Sequence, residues 1–107
     1  MTQQIVVSSK DGRLGNPEEA ETKLIVFGLA DDQVVSVRDV VPAERDVCSL
    51  VYWLTRNNIT KLYVSTVSAL LYRTLTSFGI VVKQKDEVAD DPFYCSVFCC
   101  NRKMTVP

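Results

Sequence analysis

Histidine is absent from all 107 residues. That excludes Ser–His and Cys–His nucleophile pairs, the HExxH zinc-hydrolase site and every imidazole general base. Any catalysis would rest on Asp, Glu, Lys, Cys or Tyr, and the expectation is a non-enzymatic chain. Excess positive charge is also missing. Twelve basic and 13 acidic side chains leave a net charge of −1, so no field gathers phosphates and no nucleic-acid partner is expected. No run approaches the ~18 apolar residues of a membrane span, and no membrane contact is expected. The opening stretch MTQQIVVSSKDG lacks a basic region followed by a long apolar core, so no signal peptide is expected. A reducing, cytoplasmic setting follows, in which the four cysteines are thiols rather than disulfides.

A hydrophobic content of 47% is enough for one core, and residues 1–107 are read as a single domain. The clearest organisation lies between Asn58 and Lys83. Leu62–Tyr63–Val64 is a short β-rich run that stops at Ser65–Thr66. Val67, Leu70, Leu71, Leu75 and Phe78 recur with helical spacing, and the pattern predicts that they share one buried face. Gly79 stands where a helix C′ residue belongs, and Ile80–Val81–Val82 opens another strand. This strand–helix–strand unit predicts a parallel pair joined by a right-handed crossover.

Before it, Gln4–Ser8 reads as a first strand and Ser9–Lys10–Asp11–Gly12 as a turn. Arg13 to Thr22 reads as a loop or one helical turn. Lys23–Gly28 and Val34–Val40 read as a hairpin turning at Ala30–Asp31–Asp32–Gln33. Pro42 breaks the third strand, and a helix is expected to begin at Ala43–Glu44–Arg45–Asp46 and to end at Arg56–Asn57–Asn58. Gln84 to Pro92 is charged and turn-like. The expected fold is a mixed five-stranded α/β sheet with two helices, strand order 3-2-1-4-5, in the ribonuclease-H-like arrangement.

Several local patterns resemble the dinitrogenase iron–molybdenum cofactor-binding family of small domains. The opening Ile5–Val6–Val7–Ser8–Ser9–Lys10–Asp11–Gly12 resembles that family's first strand and turn, IAVASSDG. Leu62–Tyr63–Val64 with Ser65–Thr66 matches its later strand and small-residue turn. Leu75 to Val82 matches its L-x-x-x-G-I-x-V ending. The chain differs at Lys10, which is inserted between Ser9 and Asp11. It has Asn16–Pro17–Glu18–Glu19–Ala20–Glu21 where the family often has His–Phe–Gly, and Ser65–Thr66–Val67–Ser68 where a Gly-rich turn is common. The resemblance implies the same fold and a metallocofactor carrier.

Ligands of open α/β sheets bind at the carboxyl ends of the parallel strands. Ser8, Ser9, Lys10 and Asp11 follow the first strand, and Ser65, Thr66 and Ser68 follow the fourth. Hydroxyls and free amides at a helix N-terminus, with Lys10 as a point charge, suit a small anion or a metallocofactor of unknown identity. Helix capping by Ser65 or Thr66 explains the same residues without a ligand. Cys95, Cys99 and Cys100 are a soft-ligand candidate for a metal, set against the reading of small buried hydrophobes. Cys48 reads as core. Asp11, Asp31, Asp32 and Asp39 read as turn residues rather than a magnesium site. Tyr52, Trp53 and Tyr72 offer an aromatic surface or close a core edge. The tail, residues 93–107, opens with the apolar run Phe93–Cys100, expected to be buried against its own sheet or across a homodimer interface. The competing function is a protein-interaction module without a small ligand.

Overall fold

The computed structural model describes residues 2–31, 33–88 and 91. Cys95, Cys99, Cys100, the 93–107 tail and Asp32 lie outside the described residues. In chain order the elements are β1 (Thr2–Lys10), β2 (Arg13–Leu14), β3 (Lys23–Ala30), β4 (Gln33–Val40), α1 (Val47–Arg56), β5 (Ile59–Tyr63), α2 (Ala69–Ser77), β6 (Val81–Lys83) and α3 (Lys85–Val88). They form a mixed sheet whose main path runs β4-β3-β1-β5-β6, with β2 paired to β1.

The sheet has six strands among the described residues rather than the expected five. The extra strand comes from the turn after β1. Asp11 and Gly12 both take positive φ, 54° and 78°, as a two-residue hairpin of the Asp-Gly type requires. Arg13–Leu14 therefore folds back on Ser9–Lys10 instead of entering a loop. β1 pairs antiparallel with β3 along one edge. Along the other it runs parallel to β5 over Gln4–Val7. Because β3 occupies the first edge as far as Ser9, β2 stands on the β5 side, in line with the end of β5. β5 and β6 are parallel, with Lys61 opposite Val81.

Both helix starts differ from expectation. α1 begins at Val47 because the Asp46 carboxylate takes the Ser49 amide at 3.0 Å and holds Asp46 extended as N-cap. α2 begins at Ala69 because the Ser68 hydroxyl takes the Leu71 amide. Val67 is thereby left outside the helix. Leu71 and Leu75 are α2's buried stripe, whereas Leu70 and Phe78 are 63% and 62% exposed, so two of the five expected core positions face outward. The exits follow residue chemistry: Asn58 and Gly79 take positive φ, 57° and 83°. A third, four-residue helix, α3, stands where charged turn residues were expected.

Strand alternation divides the core. Val6, Leu24, Val26, Leu62, Val64 and Val82 meet Leu50, Val51 and Leu54 of α1 and Leu71 and Leu75 of α2. On the opposite face Ile5, Val7, Phe27, Leu29 and Tyr63 form a second cluster with Val88 of α3. Tyr63 donates its hydroxyl hydrogen to Asp91 Oδ1 at 2.9 Å. Burial first, and then that bond and the charge of Asp91, push the phenol well above its usual value of 10.0. A group whose folded pKa is raised holds its proton longer in the native state. Its contribution is complete below about pH 10 and is lost as the pH rises further. Thermal unfolding followed from pH 8 to 11 should show a stability decline above about pH 10 that Tyr63→Phe flattens. Equal alkaline slopes in the two proteins would refute the assignment.

Candidate functional site at the carboxyl ends of the parallel strands

Every helix-entry point of the fold lies at one end of the sheet. β1, β4, β5 and β6 all run toward it, so α1 and α2 both start there and point back down one face. This is the end at which an open α/β sheet presents ligands. Ser8, Ser9, Lys10 and Asp11 gather there with Ser65, Thr66 and Ser68, at the ends of the adjacent strands β1 and β5.

The chain's own backbone fills the space between them. The Gly15 amide donates to the Ser8 carbonyl at 2.9 Å, and the Gly15 carbonyl accepts from the Ser65 amide at 3.0 Å. One residue thus spans the ends of both strands. A side chain there would crowd Lys10 Cβ at 3.0 Å and Thr22 Cγ2 at 3.1 Å, which accounts for glycine at this close approach. Beyond it, residues 16–22 form a strap. The Asn16 side chain accepts from the Glu18 amide, and the Arg45 guanidinium donates to the carbonyls of Pro17 and Thr22 at 3.1 and 2.8 Å.

The strap delivers a carboxylate to the amide end of α2. Glu18 Oε1 accepts from the Ser68 amide at 2.8 Å, and Oε2 accepts from the Ser68 hydroxyl at 3.0 Å. The helix end is therefore satisfied twice from within: Ser68 caps Leu71, and Glu18 lies against Ser68 where an external anion would lie. Neither Ser65 nor Thr66 is the N-cap. Sequence reasoning missed Glu18, which precedes Ser68 by 50 positions. The acidic run from Glu18 to Glu21 was its only signal.

Two polar groups at this end are left over. Ser8 and Thr22 are fully buried, and neither side-chain hydroxyl has a hydrogen-bond partner among the described residues. Ser9, Lys10 and Ser65 are half-buried, while Asp11, Thr66 and Ser68 are exposed. Among the described residues no group of three or more Cys, Asp or Glu side chains is placed to hold a metal ion. Cys48 is exposed on α1, where it lines the groove described below, and is not in the core.

A different surface is open. Among the described residues β4 has no strand on its outer edge, and Gln33 through Asp39 are exposed along its length. Val34, Val35 and Val37 are 42%, 62% and 56% exposed. Beside β4, between the Pro42–Glu44 link and the first turns of α1, lies a groove of about 430 Å³. Leu24 and Leu50 form its floor, and Tyr52 and Trp53 line it.

No protein-family model matches the chain, and no curated protein matches it. Its backbone is similar to the crystal structure of PH0822, with a TM-score of 0.62 and 11% identity over 77% of this chain and 78% of that one. At that identity the likeness concerns the fold alone.

The double cap gives a measurable expectation. Ser68→Ala should cost about 1 kcal/mol of stability in urea unfolding. Glu18→Gln should cost less, about 0.3–1 kcal/mol, and its effect should shrink in high salt. Since the two side chains share one contact, the double variant should lose less than the sum. Additive losses would show that Glu18 and Ser68 act separately.

Proposed function

We propose that this chain is a non-enzymatic protein-interaction module that offers the β4 edge and the groove beside it to a partner protein. The exposed β4 edge carries the reading. An eight-residue strand whose outer edge pairs with no strand among the described residues is a template for an added strand. Natural monomers protect such edges with proline, inward-facing charge or lysine. β4 has no proline or lysine, and its charges are confined to Arg38 and Asp39. Its valines would supply apolar contact to the incoming chain. In this reading the fold is ribonuclease-H-like and the module works in the cytoplasm, without nucleic acid or membrane. No described helix is long and apolar enough to cross a membrane.

Val37→Lys tests it. The wild-type chain, immobilised, should retain a protein from its native extract, and amide exchange at residues 33–40 should slow in that complex. The lysine variant should fold normally and lose the retained protein. Retention indifferent to Val37→Lys, or exchange protection that falls elsewhere, would end this reading.

A second reading rests on the unpaired hydroxyls of Ser8 and Thr22. In it, the crevice receives a small anion or a metallocofactor after the strap lifts, with Ser8, Ser9, Lys10, Asp11, Ser65, Thr66 and Ser68 as its lining and Glu18 displaced. Molybdate or phosphate at millimolar concentration should then raise the melting temperature, more so in Glu18→Gln, whose neutral side chain competes less. Unchanged melting in both proteins removes this reading.

A further inference from the structure

The groove beside β4 has an unbalanced rim. Among the described residues that line it, Glu44 is the only charged side chain. The Glu44 carboxylate accepts from the Ser49 hydroxyl at 3.2 Å, which holds it at the groove. Asp46, two residues on, caps α1, and its bonds to the Ser49 side chain and amide keep its carboxyl below the usual range. Two carboxylates thus stand at this margin, Glu44 and Asp46. The cation between them in sequence, Arg45, is turned away, its guanidinium committed to the Pro17 and Thr22 carbonyls. The positive end of α1 offsets only part of two full negative charges. The result is an apolar, aromatic-walled cleft with an acidic margin and no free cation among its lining residues.

The cleft also has a position that suits a strand on β4. It lies on the helix side of the sheet, where Leu24 belongs to the same core cluster as Leu50 of α1 and Val40 of β4 is half-buried against that cluster. Side chains of an added strand that face the helices would point toward it. A volume of about 430 Å³ falls within the range of sites that accept a large apolar group.

Resting on the interaction-module reading, we propose that the groove receives a large apolar side chain of the partner protein, flanked in that partner by lysine or arginine that meets Glu44 and Asp46. The apolar group covers Leu24, Leu50 and Trp53, and the flanking cations set the preference. Sequence recognition is thus of a basic–apolar–basic segment.

Trp53 is the single tryptophan of the chain, so its fluorescence reports the groove directly. The intact protein is titrated with the peptide acetyl-Lys-Leu-Phe-Leu-Lys-amide and with its counterpart bearing Glu in place of both Lys. The lysine peptide should give a saturable change, and the glutamate peptide should bind at least about fivefold more weakly, the scale of exposed charge pairs. Glu44→Lys should abolish or reverse that preference. Cys48→Phe, at an exposed position, should fill the cleft and weaken both peptides about tenfold. Equal binding of the two peptides, or indifference to Cys48→Phe, would overturn the proposal. If neither peptide binds while partner retention sensitive to Val37→Lys persists, the groove proposal falls and the edge-strand reading stands. Loss of that retention as well removes both.

Discussion

Two hydrogen bonds made by Gly15 organise the functional end of this domain. By joining the Ser8 carbonyl to the Ser65 amide they close the gap between β1 and β5 with backbone. An open α/β sheet leaves the amides and carbonyls of its parallel strand ends to water or to a ligand. Here the chain supplies the partners itself. The Asp11–Gly12 turn makes this feasible, because only a tight reversal brings residue 15 back over the strand it has just left. The glycine is needed at the far side, where a Cβ would press on Lys10 and Thr22.

The consequence is a division of the surface. At the closed end, the strand-end backbone and the start of α2 are satisfied internally, by Gly15 and by the Glu18 carboxylate, and the Ser8 and Thr22 hydroxyls are left over. At the β4 edge, backbone groups and valines are exposed, and local features temper this without covering it. The register shift between Gly28 and Leu29 kinks the pairing with β4, and Arg38 reaches Asn57 beyond the end of α1. Bulges and charges of this kind discourage indiscriminate pairing. They leave room for a partner whose side chains match.

The parts legible in the sequence were those carried by local chemistry. The strand–helix–strand pattern, the glycine exit of α2 and the asparagine exit of α1 are decided within a few residues. β2 was not legible, because two residues show no alternation and its existence depends on the backbone of β1. The helix starts were misplaced for a related reason. Acidic residues before α1 suit a first turn, but Asp46 binds the Ser49 amide and so stops the helix behind it. The exposure of Leu70 and Phe78 followed from the same kind of shift in α2. At the candidate site, the cluster of serines was legible and the Glu18 contact was not, since no local rule joins positions 50 residues apart. The exposure of β4 was hidden too. Its Val-rich pattern resembles a buried strand, and its place at the end of the sheet among the described residues leaves it exposed.

Arg45 ties these regions together. Its guanidinium holds the strap through Pro17 and Thr22, while its backbone belongs to the link between β4 and α1. That link contributes Pro42, Ala43 and Glu44 to the groove. The arginine therefore does two things at once. It pins the cover of the closed crevice, and it keeps its own charge off the acidic margin of the open cleft.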